Sequence, residues 1–315
     1  MSGLSPGIVL CVGEALIALA PSDGRPLEEA RVLEVSAAGA ELNVAVHLAR
    51  LGLPARFAGM VGADPWGRRL RATLVHEGVD VSALLTHPGR PTGFYLKGFG
   101  TYGTSMHYYR ERSAASTLDR VPPGAHDGVG HVHLTGITPA LSAECSGLVR
   151  RELQETGGRS TSFDVNYRAA LWSPETAAPV LRELARMATV AFVGLDEARR
   201  LWGCPDAEAV RELLPEPEEV VVKDGPRDAT VLTATGSVST PALPVTVVEP
   251  VGAGDAFAAG YLATRLRGDG LEPALRTGHT LAATVIRSYS DHGAPMDPAA
   301  LAAVVAGSGW PDATE

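Results

Sequence analysis

Lysine is nearly missing from this chain. Of its 27 basic residues only Lys97 and Lys223 are lysines; the rest are arginine, a bias that fits a GC-rich coding sequence and makes each surviving lysine worth following. Cysteine is scarce as well. Cys11, Cys145 and Cys204 are odd in number, far apart and in no metal-ligand spacing, which excludes a disulfide framework and leaves three reduced packing thiols. Positive charge is in deficit, and a formal net charge of −9 argues against nucleic acid as a main partner. No apolar run reaches membrane-spanning length. The apolar start over residues 8–20 is broken by Glu14 and has no basic leader, so the expectation is a cytoplasmic protein with no membrane partner. Aromatics are only 5% of residues, but Ala, Gly and Val are abundant and supply ample material for a core. Internal repeats and low-complexity segments are absent, and residues 1–6 and 311–315 read as frayed ends.

What is present is a rhythm. Residues 8–12 read as a buried strand, 14–20 alternate loosely, and 31–35 form another short strand after a Pro/Gly/Asp turn. A helix over 44–51 closes at Gly52, a strand covers 56–61, and a second helix runs from Pro65 to Gly78. Runs at 94–99 and 106–110 flank a Gly-bounded bend at 100–104, the pattern of a hairpin. Strands at 131–134, 161–165, 190–193 and 220–223 then alternate with helices at 142–156, 174–187 and 196–202. An antiparallel pair at 229–234 and 237–241, a strand at 244–248, and helices at 253–266, 273–288 and 298–305 complete the chain. Such alternation predicts an α/β fold with a mostly parallel central sheet covered by helices on both faces. The hairpin and the two early strands predict a small four-stranded sheet that projects as a lid. Its two segments, about 14–36 and 92–112, are separated in sequence, so residues 1–315 read as a single domain.

The richest stretch is Glu249-Pro250-Val251-Gly252-Ala253-Gly254-Asp255-Ala256-Phe257-Ala258-Ala259-Gly260. Gly252 and Gly254 sit where a loop turns into a helix, and Asp255 stands in the first turn. Glycines let a ligand approach the backbone, and a helix start offers free N–H groups and a positive dipole end. That combination suits an anion, phosphate above all. Asp255 would repel phosphate itself; it is placed to take the proton of a hydroxyl that attacks phosphorus, the pairing phosphoryl transfer needs. A plain helix cap is the other reading of Asp255. The stretch is neither a Walker A loop nor a dinucleotide fingerprint, since the Lys-Ser/Thr ending and the third spaced glycine are missing.

Other stretches carry less specific signals. Gly39-Ala40-Glu41-Leu42-Asn43 opens a helix and by itself fits a turn and a cap. Gly93-Phe94-Tyr95-Leu96-Lys97, His107-Tyr108-Tyr109-Arg110 and Asp164-Val165-Asn166-Tyr167-Arg168 place aromatics beside cations. Aromatics alternating on strands usually pack, yet an arginine at a strand end beside a tyrosine can grip a carboxylate through a planar fork of donors. Val221-Val222-Lys223-Asp224-Gly225 ends a strand with a lysine that either reaches a phosphate or lies solvated at a rim.

The stretch around Asp255 resembles the signature of the ribokinase-like (PfkB) sugar kinases. Together with the other stretches and Leu134-Thr135-Gly136-Ile137-Thr138-Pro139-Ala140-Leu141-Ser142, the resemblance covers nearly the whole chain and is closest to the bacterial 2-keto-3-deoxygluconate kinases. It implies a ribokinase-like three-layer fold with a β lid, ATP and Mg²⁺ as cofactors, and a homo-oligomer formed through the lid, whose edges would otherwise stay open. It implies Asp255 as catalytic base, with the backbone of the Val251–Gly254 turn (Gly252, Ala253, Gly254) holding the phosphoryl group. Gly39, Asn43, Tyr95, Tyr108, Arg110 and Arg168 would bind the sugar acid. Lys223, Gly225, Gly252, Gly254 and His292 would bind the nucleotide, and Glu197 would serve the metal through water. The chain departs from the family pattern at Ala38, in place of a first glycine, at Asp228 in the phosphate loop, and at Gly194, where relatives carry Asn. A fructokinase or ribokinase acting on a neutral sugar, and a sugar-sensing protein without catalysis, are the alternatives.

Overall fold

The computed structural model describes residues 7–100, 103–288, 290–307 and 310. The expected frayed ends, 1–6 and 311–315, and the hairpin tip at 101 and 102 lie outside these residues. In chain order the strands are β1 (Ile8–Val12), β2 (Leu16–Pro21), β3 (Leu33–Ala38), β4 (Ala55–Gly62), β5 (Leu84–His87), β6 (Phe94–Gly100), β7 (Gly103–Tyr109), β8 (Val129–Thr135), β9 (Ser160–Asp164), β10 (Val190–Gly194), β11 (Glu219–Lys223), β12 (Asp228–Thr233) and β13 (Gly236–Pro241). The helices are α1 (Ala40–Arg50), α2 (Pro65–His76), α3 (Ala143–Gln154), α4 (Pro174–Met187), α5 (Leu195–Trp202), α6 (Ala207–Leu213), α7 (Ala253–Leu266), α8 (Leu271–Ile286) and α9 (Pro298–Val305).

The large sheet has nine strands in the order β13-β12-β11-β10-β9-β8-β1-β4-β5, parallel from β11 to β5, with β12 and β13 antiparallel at one edge. Strands β1 and β10 are continuous apolar runs because both faces are covered, whereas the neighbouring β8 and β9 bury His131, His133, Ser160 and Ser162, which hydrogen-bond to one another. In β1, Val9 and Cys11 join one core while Leu10 and Val12 join the other. Helices α1, α2, α7 and α8 fill the first core; α3 to α6 fill the second. This is the three-layer arrangement the alternation predicts. Local chemistry sets the helix starts: Asp64 accepts from the Gly67 N–H ahead of Pro65, and Ser142 accepts from the Cys145 N–H. Helix α7 is made of small residues and lies close to α8, where a Cβ on Gly260 would sit 2.8 Å from the Thr277 carbonyl oxygen.

The second sheet has four strands, β3-β2-β6-β7, drawn from two separated segments of the chain. The strand expected at 244–248 is not formed. Its β-branched residues pair with no strand of either sheet; the segment crosses the surface with Val247 and Val248 exposed and is tied to α8 through the Ile286 carbonyl. The short edge strand β5 and the helix α6, which Asp206 caps, went unread in the sequence because each is brief and weakly patterned.

Candidate active site

Three neighbouring parallel strands end side by side. β9 ends in Asp164, β10 in Gly194 and β11 in Lys223, with Gly194 registered against Lys223. Ligands of open α/β sheets bind beyond such carboxyl ends. A cavity of about 1000 Å³ opens there, bounded on one side by Ala38, Tyr95 and Tyr108 of the small sheet and on the other by α7 and α8.

The start of α7 forms the cavity's centre. Gly252 has φ 85°, and a Cβ there would lie 2.6 Å from the Asp291 carbonyl oxygen, so only glycine fits. The Val251 N–H is taken by the Glu249 carboxylate (3.2 Å), and the Ala253 N–H by the Pro250 carbonyl (3.2 Å). That narrows the expected anion cradle: the N–H groups of Gly252, Gly254 and Asp255 are the ones without a protein acceptor among the described residues. A Cβ on Gly254 would be 3.5 Å from Lys223 Nζ, so the ammonium lies beside the positive end of the helix.

Asp255 is 7% exposed and clamped by two amides. Asn43 Nδ2 donates to Oδ2 (2.8 Å), and Asn166 Nδ2 donates to Oδ1 (3.1 Å). This is not a helix cap, because the side chain turns to two distant asparagines and not to its own backbone. Burial pushes the Asp255 carboxyl up to about 6; Asn43 opposes that shift, Asp164 adds to it, and Arg168 and Lys223 oppose it. A carboxylate poised there is ionised at neutral pH and can still receive a proton. Asn166 was not singled out from sequence, although its φ of 41° on a non-glycine residue marks a constrained position.

The polar groups toward the small sheet are incompletely satisfied. Arg110 Nη1 donates to Glu14 Oε2 (2.6 Å), and the Arg110 guanidinium lies 4.2 Å above the Tyr108 ring. Arg110 Nε, Glu14 Oε1, Asn43 Oδ1, Asn166 Oδ1 and Asp164 Oδ1 are buried without partners, and all five residues line the cavity. Buried polar atoms are seldom left unpaired, and several around one cavity mark a place for a polar ligand. Gly39 stands at the mouth of α1 with φ 135°, packed so that a Cβ would meet the Glu14 carbonyl at 2.2 Å. Arg168 lines the cavity more openly, with its side chain 46% exposed and 3.9 Å from Glu197.

Several expected residues sit differently from the reading above. The Tyr95 hydroxyl donates to Asp291 Oδ2 (2.9 Å), so its ring faces the cavity while its polar end is engaged. Lys223 is no rim lysine: Nζ donates to Asp164 Oδ2 (2.7 Å), and although burial works against its charge, Asp164 and Glu197 hold its pKa above the ordinary value. Glu197 accepts from the Tyr167 N–H (2.9 Å) and the Gly194 N–H (3.0 Å), and burial followed by Asp164 pushes it up to about 7. Gly225, at φ 55°, lines the cavity. His292 does not. It is buried edge-on against His47, with ring centroids 6.0 Å apart, and burial lowers its pKa to about 4. Apolar residues of α8 and of the segment between β13 and α7, including Ala283, Ile286 and Leu243, also line the cavity; composition alone gave no sign of them.

Among the described residues no group of three or more His, Cys, Asp or Glu side chains is disposed to hold a metal by itself. A cation such as Mg²⁺ keeps most of its waters and shares phosphate oxygens, so its binding does not call for such a group. Asp164 Oδ1 is buried without a partner at this cavity, while each Glu197 oxygen already accepts from one backbone N–H group.

A buried carboxylate opposite free N–H groups at a helix start, on an open α/β sheet, defines a phosphotransferase site. Residues 8–297 match the pfkB family carbohydrate kinase, and the chain belongs to that family. A 2-dehydro-3-deoxygluconokinase of Bacillus subtilis (strain 168) is 34% identical, over 89% of this chain and 89% of its own length. A 2-dehydro-3-deoxygalactonokinase of Haloferax volcanii is 32% identical, over 89% of this chain and 90% of its own. A ribokinase-type structure from Escherichia coli in complex with ATP and Mg²⁺ is 22% identical and shares the fold, with a TM-score of 0.85 over 96% of this chain and 99% of that one.

Proposed function

We propose that this protein transfers the γ-phosphoryl group of ATP to the terminal hydroxyl of 2-keto-3-deoxygluconate, giving the 6-phosphate. The observation that carries the reading is the clamped, buried Asp255 beside a cavity whose far wall holds unpaired amide and carboxylate oxygens and an arginine fork. Sugar hydroxyls donate to Asn43, Asn166 and Glu14. The open side of Arg110, with Arg168, meets the acid end, while Gly39 and the rings of Tyr95 and Tyr108 shape the pocket. The ATP phosphates lie toward Lys223, Gly225 and the N–H groups of Gly252 and Gly254, and the base toward the apolar end at α8. In the transfer, the sugar O–P bond forms as the phosphoanhydride bond to ADP breaks, and the hydroxyl proton passes to Asp255. Asp164, and Glu197 through water, would hold Mg²⁺, which would supply charge neutralisation for the phosphates.

The small sheet would act as a lid over the sugar, and its exposed Tyr109, stacked on Phe94 at 4.8 Å, offers a surface for pairing two subunits. No described helix is long and apolar enough to cross a membrane.

One observation favours a second reading, a kinase of neutral sugars such as fructose: Arg110 already carries the Glu14 carboxylate, which offsets its charge. A coupled assay of ADP formation with ATP, Mg²⁺, the gluconate- and galactonate-derived keto-acids, fructose and ribose separates these. A keto-acid kcat/KM at least tenfold above that for either neutral sugar supports the proposal; the reverse order favours the second reading. No turnover on any of them leaves a sugar sensor.

A further inference from the structure

Lys97, one of the two lysines, is 1% exposed, and nothing in the reaction described above uses it. It lies on β6 in the small sheet, two residues from Tyr95 and so on the same face. Its Nζ donates to Asp291 Oδ1 (3.0 Å) and is 3.9 Å from Glu249 Oε2. Each carboxylate has a second tie to the small sheet, Asp291 through the Tyr95 hydroxyl (2.9 Å) and Glu249 through the Thr104 hydroxyl (2.9 Å). Each also touches the start of α7. The other Glu249 oxygen accepts from the Val251 N–H, and the Asp291 carbonyl lies where a Gly252 Cβ would be. The ammonium therefore sits between the two loop segments that fix the free N–H groups of Gly252 and Gly254.

We infer that Lys97 is a positioning residue for phosphoryl transfer: seated between Asp291 and Glu249, its ammonium holds the start of α7 in its anion-binding shape, and it does so only while the small sheet is docked on the body. Without that charge, two buried carboxylates would face each other with one cation lost, and the loops carrying them would part or take up water. Because the ammonium belongs to the sheet that covers the sugar, undocking of the sheet withdraws it, and closure over substrate completes the phosphoryl cradle. Such coupling restrains transfer to water when no sugar is bound. The inference rests on the proposed kinase reading.

The test compares the wild type, Lys97→Met and the double variant Lys97→Met/Asp291→Asn, each with ATP, Mg²⁺ and 2-keto-3-deoxygluconate. Circular dichroism checks folding. A displaced cradle predicts that kcat falls on the order of a hundredfold in Lys97→Met while the sugar KM changes by less than about threefold. The double variant relieves the unpaired buried charge, so it folds, and its kcat stays low because the ammonium is still missing. Recovery of kcat to within about threefold of the wild type in the double variant would show that Lys97 merely neutralises Asp291, and the inference falls. A folded Lys97→Met with near-normal kcat overturns it as well. A wild type inactive on every sugar sinks the kinase reading itself, whereas an active wild type with active variants sinks only this one.

Discussion

Asn166 reaches Asp255 across 89 residues of sequence, its Nδ2 3.1 Å from Oδ1, and it does so from a left-handed backbone with φ 41°. Asn43 holds the other oxygen from α1. The carboxylate is thus held through both oxygens, by Asn43 on α1 and by Asn166 in the loop after β9.

Replacing the base is the first test of that site. Asp255→Asn keeps the shape, and a flip of the Asn43 or Asn166 amide lets its unpaired oxygen accept from the new NH2, so the fold and sugar binding should persist while kcat drops on the order of 10²–10⁴. Steady-state kinetics with a thermal melt checks this, and a near-normal kcat would remove Asp255 from the chemistry.

The pH profile follows from the same clamp. In the proposed mechanism Asp255 acts as a base only when ionised, and burial pushes its pKa up to about 6, so kcat should fall as pH drops below that value. The Asn43 hydrogen bond favours the ionised form. Asn43→Ala should therefore move the acidic limb of kcat to higher pH. A limb that stays in place would mean that Asp255 is not the titrating group.

Substrate preference rests on the arginines. A charge-assisted hydrogen bond contributes roughly 1.5–3 kcal/mol, so Arg110→Ala or Arg168→Ala should cut kcat/KM for the keto-acid about ten- to a hundredfold, with the more exposed Arg168 at the lower end. Activity on fructose or ribose should change far less. Equal losses on acid and neutral sugars would assign both residues to ATP or to structure.

Metal dependence should follow the unpaired oxygen. Chelation with EDTA should abolish turnover, and Asp164→Asn should raise the Mg²⁺ concentration needed for half-maximal rate by about tenfold or more, a typical cost of weakening one metal contact. Glu197→Gln should act more weakly, because that side chain already serves two backbone N–H groups. A stronger effect from Glu197 would make it the main metal-side acid.

Glu41 gives a stability prediction. It is fully buried, accepts from the Thr135 and Thr138 hydroxyls, and burial raises its pKa from 4.5 to about 7. Between those values the folded chain keeps a proton that the unfolded chain releases, so this group's contribution falls as pH rises through the window and stays lost above about 7. Glu41→Gln should therefore raise Tm relative to wild type at pH 8, by up to about 3 kcal/mol in stability, and do little at pH 4.5. An equal effect at both values would show that the carboxyl is not protonated on folding.

Much of this was legible without coordinates. The alternation of apolar strands with capped helices is local chemistry, and α2, α4 and α9 begin and end where Pro65, Pro174 and Pro298 and their periodicity place them. The glycines around Asp255 announce a helix start built for an anion, since backbone geometry there is dictated by residue type. The segment 244–248 misled for the opposite reason: β-branched propensity makes a strand only when a partner strand is taken, and the N–H groups of Val248 and Glu249 turn to the Ile286 carbonyl of α8 instead. The sequence by itself determined the three-layer α/β order and the family, and it singled out Asp255 as the base we propose. Only the tertiary structure decided who partners whom. It took Val251 and Ala253 out of the anion cradle, turned His292 away from the cavity, gave Arg110 to Glu14 and Lys223 to Asp164, and brought Asn166 to Asp255 and Lys97 to Asp291. Charge pairing and desolvation act through distance in space, and residues some 200 positions apart carry no mark of that distance in their order along the chain.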